Sequence, residues 1–444
     1  MNKPFEPVLQ GVVLRKIFWR LVPLMVLMYF VSSLDRANIG YAALTMNADL
    51  GLTVAQFGFA TSIFYLGYIL FETPANIILH RIGARLWISI ILLAWGAMSS
   101  LTSLVPDKDW LYVTRFFLGV AESGLFPGMV LYLTLWLPSR NRVWVMSLFI
   151  TAMPLAAVIG APISTALMTH TSVFGLEGWR SMLFLEGLPA IALAFIVFRF
   201  LPDSPATAQW MSAQDVAAVE KVLQVEAQGR DQSIAHGSIR AALQSWRVWA
   251  LGFVYFAINT AIVILLYFLP LVIKSFEHAF QTQYTVFEIG KITAVPFGFA
   301  TVSMLLWARF TGRTGVAAWH IALPLVVCAV AIGVAMSLPS PVQIMVAFAV
   351  GCAACFSSMA PFWQLPSRLL SGKAAAAGIG LIAALGASAG FLLPYLIGWV
   401  KDRSGSFEPA FLCIGVIMLI GAGVVMLLEK RPPSKPVVPV GVKL

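Results

Sequence analysis

The chain has 444 residues, of which 60% are hydrophobic and only 11% charged. Soluble domains carry about a quarter charged residues, so the two or three soluble domains that the length allows are excluded, and so is a disordered chain. The composition fits an all-α integral membrane protein with room for about twelve spans.

In chain order the apolar segments run 17–43, 53–79, 86–105, 110–136, 143–168, 181–201, 248–273, 286–308, 317–337, 342–365, 376–399 and 407–428. At 1.5 Å per residue each is long enough to cross about 30 Å of hydrocarbon. Prolines such as Pro127, Pro154, Pro162, Pro296 and Pro394 fall inside them, which membrane helices tolerate when neighbouring helices satisfy the freed backbone groups. The one long polar stretch, 202–247, divides the chain into a first six-helix bundle (1–201) and a second (248–430), with a disordered tail expected at 431–444. No cleavable leader is expected, because the apolar run after the polar residues 1–16 continues as a span.

The net charge of +10 raises nucleic-acid binding, but most of the 29 basic residues fall on one side of the spans. Arg15, Lys16, Arg20, Arg81, Arg85, Arg140, Arg142, Arg309, Arg313, Arg368 and Lys373 share the side of both termini. By the positive-inside rule that side is the cytoplasm. The basic balance is then a statement of topology, and nucleic acid drops out as a partner. Cys328, Cys352, Cys355 and Cys413 all lie in apolar stretches and are expected as small packing residues. Cys352 and Cys355 have no second pair or nearby histidine with which to hold a metal.

The two halves repeat. His80-Arg81-Ile82-Gly83 after span 2 returns 232 positions later as Gly312-Arg313-Thr314-Gly315. Leu137-Pro138-Ser139-Arg140 after span 4 returns at an offset of 228 as Leu365-Pro366-Ser367-Arg368. A duplicated bundle places its substrate site between the halves, near the bilayer midplane.

Charges inside the spans are few. Asp35 and Arg36 lie in span 1, Arg115 and Glu122 in span 4. Each costs about 2.5–3.5 kcal/mol in a bilayer on insertion scales. Neighbours on a helix point about 100° apart, so Asp35 and Arg36 each reach toward another helix. Arg115 and Glu122 are about 10.5 Å apart along one face, and a cluster from spans 1 and 4 is expected. In it Asp35 and Glu122 are candidate proton carriers, and Arg36 and Arg115 candidate anion ligands. A static set of ion pairs is the competing explanation. Tyr68, Asn259, Tyr267, Trp363 and Gln364 are candidate cavity residues, with helix packing as the alternative for each. Glu72, Arg81, Arg85, Arg140, Arg313 and Arg368 form a candidate cytoplasmic gate, Glu72 facing Arg140 or Arg142. Glu186 and Glu288 stand near span ends and are expected at the membrane interface.

Several of these stretches together carry a family resemblance: Leu34-Asp35-Arg36-Ala37-Asn38-Ile39-Gly40, Glu72-Thr73-Pro74-Ala75-Asn76, Arg115 through Gly124 followed by Phe126-Pro127-Gly128, and Leu201-Pro202-Asp203-Ser204-Pro205. From about Leu14 to Lys430 the chain resembles the major facilitator superfamily, in particular its anion:cation symporters of the tartrate, hydroxyphenylacetate and phthalate permease type. The resemblance implies proton-coupled import of an organic carboxylate by a monomer in the bacterial inner membrane, with the proton as coupling ion and no other cofactor. It also implies protonation at Asp35 and Glu122, tuned by Arg36 and Arg115, with Tyr68 and Trp363 at cavity positions. Two departures stand out. His80 and Gly312 replace the loop acid the superfamily usually carries, and Ala383 and Ala387 stand where many members have asparagines. Fewer amides favour a weakly hydroxylated, aromatic carboxylate. An exchanger or uniporter of the same fold is the main alternative. Drug efflux is disfavoured because Gly160-Ala161-Pro162 lacks most of the glycine-rich efflux motif, and no catalytic motif supports an enzyme.

Overall fold

The computed structural model describes residues 11–176, 178–231, 239–369 and 373–430, so the expected tail lies outside the described residues. The first bundle consists of α1 (Gly11–Asp49), α2 (Val54–Ile82), α3 (Ala84–Thr102), a fourth span made of α4 (Lys108–Glu122) and α5 (Leu125–Thr134), α6 (Ser139–His170) and α7 (Trp179–Phe200). The second consists of α10 (Trp246–Phe280), α11 (Val286–Thr314), α12 (Trp319–Ala335), a tenth span made of α13 (Pro341–Phe362) and α14 (Gln364–Leu369), α15 (Lys373–Ser404) and α16 (Glu408–Lys430). Among the described residues, eleven stretches are long and apolar enough to cross a membrane. The ninth span falls short of the expected length: α12 is a 17-residue helix, about 25 Å long.

The fourth span is also broken, where one continuous helix was expected. Pro127 has no N–H to give the carbonyl four residues back, at Ser123, and Ser123 and Gly124 form the joint between α4 and α5. The polar stretch between the bundles is more than a loop. It carries α8 (Ala213–Asp231) and α9 (Ile239–Gln244). Val219 and Ala208 are buried in the core of the first bundle, and Trp210 stacks on Trp136 at 5.6 Å. Lys16 on α1 reaches Asp215 on α8 at 2.7 Å. The Lys16 hydrogen bond holds the Asp215 carboxyl below the usual carboxylate range.

The repeat is written in the helix ends. α2 starts with a capping box of Thr53 and Gln56, and α11 with one of Thr285 and Glu288. The fourth and tenth spans start at the side-chain caps Asp107 and Ser340. Gly83 and Gly315 follow α2 and α11 with φ of 89° and 77°, a conformation that favours glycine. The acid missing from both loops arrives from elsewhere in each half. Asp203, just after α7, accepts the Arg85 N–H at 2.9 Å at the start of α3, and Glu429, at the end of α16, accepts the Ala318 N–H at 3.2 Å at the start of α12.

The halves meet along two related seams, α2 on α15 and α6 on α11. A Cβ on Gly58 would stand 2.1 Å from the Pro394 carbonyl, and one on Gly290 would stand 2.0 Å from the Thr165 hydroxyl, so both approaches require glycine. Even spans bring Gly11 and Lys430 to one face, called here the terminal face. Contacts between the halves gather toward the opposite, far face. There Lys274 donates to the Leu44 carbonyl at 2.5 Å, Phe57 meets Phe268, and Asp402 on α15 accepts the Val54 and Ala55 N–H groups at 3.1 and 2.8 Å. One apolar core runs through the far part of α1 into the second bundle, and a separate core fills the terminal-face part of the first bundle.

Candidate functional site

Asp35 and Arg36 diverge as their helix positions require. Asp35 is 1% exposed and turns to α3, where its carboxylate accepts from the Ser99 hydroxyl and, at 2.8 Å, from the Trp95 indole N–H. Asn38, one turn on, donates to Asp35 Oδ1 at 3.1 Å. The close partners of Asp35 thus come from span 3 and its own helix, and not from span 4 as expected. Arg36 turns to the fourth span and pairs with Glu122, Nε to Oε1 at 2.8 Å. The Ser32 hydroxyl donates to the same oxygen, while Glu122 Oε2 is buried without a hydrogen-bond partner. The Arg36 guanidinium also lies over the Tyr68 ring, 5.1 Å from its centroid.

Arg115 is 2% exposed, yet its Nε and Nη2 have no hydrogen-bond partner. Its guanidinium lies 4.9 Å from the Phe64 centroid, and the groups acting on it include Tyr267, Asp35, Glu122 and Tyr65. A buried guanidinium with unpartnered donors is costly, so Arg115 is the least satisfied charge of the cluster. Opposite it, Tyr65 of α2 and Tyr267 of α10 share a hydrogen bond at 3.2 Å and join the halves. Trp363, at the joint of the tenth span, stands edge-on to Tyr255 at 4.9 Å. Gly386 and Gly390 let α15 lie directly on the rings of Tyr255 and Tyr65. The seam between the halves therefore brings together Tyr65, Tyr255 and Tyr267, with Arg36 and Arg115 of the first bundle acting on them.

Asn259 stands beside Tyr255, donating to its carbonyl at 3.0 Å, and Gln364 is exposed at the start of α14, next to Trp363. Of the gate residues, Arg81 and Arg313 are exposed, and Arg85 lies over Phe198 at 4.9 Å within its own bundle. Glu72 is half-buried with Arg36 acting on it, and Arg142 donates to the Leu137 carbonyl at 2.8 Å. The side chains of His80, Arg140 and Arg368 lie outside the described residues. Among the described residues no ion pair joins the halves at the terminal face. Glu288 stays half-buried in its capping box at the start of α11, but Glu186 does not sit at an interface. It is 4% exposed and accepts from the Ser164 hydroxyl at 2.6 Å, because α1, α3 and α6 enclose that turn of α7. Ser32, Trp95, Ser99, Tyr65 and Glu186 escaped sequence reasoning. For Ser32, Ser99 and Tyr65 the only hint was the recurrence of hydroxyls in otherwise apolar spans.

Twelve spans in two related bundles, with buried charges gathered in the first of them, define a membrane transporter and not an enzyme. The chain belongs to the Major Facilitator Superfamily, whose profile matches residues 25–394. It is 41% identical to a putative tartrate transporter of Agrobacterium vitis over 96% of this chain and 93% of that protein. It is 34% identical to a quinolone resistance transporter of Acinetobacter baumannii over 92% of this chain and 93% of that one. Its fold is similar to the inward open xylose transporter XylE of Escherichia coli, with a TM-score of 0.72 and 15% identity, covering 94% of this chain and 97% of that structure.

Proposed function

We propose that this transporter imports a small organic carboxylate together with protons, as a monomer of the bacterial inner membrane with both termini in the cytoplasm. The observation that carries the proposal is the buried Arg115 guanidinium with unpartnered donors at the tyrosine-lined seam. The relative named as a putative tartrate transporter supports an organic anion as cargo. Arg36 and Glu122 supply the coupling. While they are paired, the Arg36 charge is spent on Glu122. A proton on Glu122 neutralises its carboxylate, leaves the pair with a net positive charge, and releases Arg36 to the substrate carboxylate beside Arg115. Asp35 takes the second proton, held in position by Trp95 and Ser99. With the basic loops in the cytoplasm, the state joined at the far face is the inward-facing one. Alternating access then opens the far face by rocking one bundle against the other.

The rings around the seam, with alanines at positions 383 and 387, favour an aromatic or weakly hydroxylated acid. Competition of labelled benzoate against labelled tartrate in proteoliposomes tests this preference. Benzoate should be taken up faster, and Ala383→Asn should move the ratio toward tartrate. A tartrate preference that Ala383→Asn leaves unchanged removes the aromatic assignment but leaves carboxylate transport standing. The relative named for quinolone resistance favours a second reading, export of an aromatic carboxylate against protons. Right-side-out vesicles separate the two, because import fills them under an inward proton gradient and export empties them.

A further inference from the structure

We propose that Glu186 is a proton-binding site of the transport cycle, a third acid of the first bundle that loads and releases a proton alongside Asp35 and Glu122. The proposal rests on the proton-coupled reading above and adds a site to it. The buried charges of this bundle do not balance in pairs. Asp35, Glu122 and Glu186 are buried acids, while the cations among them are Arg36 and Arg115. Arg36 is bound to Glu122, and Arg115 acts on Asp35 and Glu122. The groups acting on Glu186 are Ser164 of α6 and Asp35 and Asn38 of α1, none of them a cation. From α3, the face packed on this turn of α7 brings Gly96 and Ser100, also uncharged.

Two polar atoms at the site have no hydrogen-bond partner, Glu186 Oε2 and the buried hydroxyl of Tyr41, on which Glu186 acts. An ionised carboxylate enclosed in this way, without a cation, is far more costly than a neutral acid. Glu186 therefore carries a proton in the state seen here. Asn38 lies between this acid and Asp35, donating to Asp35 Oδ1 at 3.1 Å and acting on Glu186. Two acids that share one amide titrate as a pair, so charging one affects the other. Loading forms one O–H bond on the Glu186 carboxylate and release breaks it, with no electron transferred. The pairing gives the bundle a proton store on the far side of Asp35 from the Arg36–Glu122 pair.

Infrared difference spectroscopy of the full chain in lipid, stepped between acid and alkaline pH, reads the site without a substrate. The expected wild-type spectrum holds a protonated-carboxyl C=O band that disappears as pH rises. Glu186→Gln removes that band, and Ser164→Ala, which keeps the acid but removes its hydrogen bond, changes the band position. Proteoliposomes with tartrate as probe then carry one proton fewer per substrate in Glu186→Gln than in wild type. A carboxyl band that persists across the pH range, or one that neither variant changes, overturns the proposal. Should Glu186→Gln fail to fold, the Ser164→Ala band decides. A wild type that transports tartrate without protons overturns symport instead, and the infrared titration still judges Glu186.

Discussion

At the residue scale, the account depends on which partner each buried charge has. Arg115→Lys keeps the charge but loses the planar fork, so uptake should fall about tenfold or more, measured as initial rates in proteoliposomes. A rate within twofold of wild type would show that Arg115 does not hold the substrate. Asp35→Asn and Glu122→Gln should lose proton-driven accumulation while keeping substrate exchange, because both remove a proton carrier and leave Arg115 in place. Loss of exchange as well would favour a static structural cluster. The four charges in spans 1 and 4 were legible from sequence because so few ionisable residues enter the spans. Their partners were less so. Trp95 and Ser99 fix Asp35, yet a tryptophan and a serine in an apolar span resemble ordinary packing residues. Glu186 was misplaced because its position near the start of α7 says nothing about the three helices that enclose it.

At the element scale, the repeat was legible in two short loop matches and proves to extend into caps and seams. Thr53 and Thr285 cap equivalent helices, and Gly58 and Gly290 sit at equivalent seams. The break at Ser123–Gly124 was not legible, because Pro127 alone does not distinguish a kinked helix from two helices. The far-face seam also carries an asymmetric clasp, since Asp402 takes two free N–H groups at the start of α2. Removing it should cost about 1 kcal/mol of the far-closed state, which is about a fivefold shift in population. Ser62 is buried at this seam and accepts the Tyr395 N–H at 3.2 Å. With the native cysteines replaced, Ser62→Cys should therefore be labelled several-fold faster by a maleimide when Asp402→Ala is added. An unchanged labelling rate would mean that the clasp does not hold the far face shut.

At the scale of the whole molecule, the segment between the bundles is divided, its part through α8 packing on the first bundle and α9 on α15 of the second, which its polar composition concealed. Its docking includes the Lys16–Asp215 pair. Because Asp215 ionises at a pH below the usual carboxylate range, this contact is present at neutral pH and lost as pH falls through the acid range below about 4. Limited proteolysis in detergent should find α8 protected at neutral pH and cut faster once the medium is acidified below that point. Earlier cutting, near pH 6, would show that another group controls docking. The overall architecture was the most legible part, since a strongly apolar chain with one central polar stretch leaves few alternatives to two membrane bundles. The coupling ion and the cargo depend on a few side chains at the seam, and one measurement tests them together. Purified transporter in liposomes is given a panel of labelled carboxylates with and without an inward proton gradient. The account predicts accumulation above equilibrium of at least one carboxylate when the gradient is present, collapse on adding a protonophore, and no accumulation in Asp35→Asn. Uptake that reaches only equilibrium, indifferent to the gradient at every pH, would contradict it.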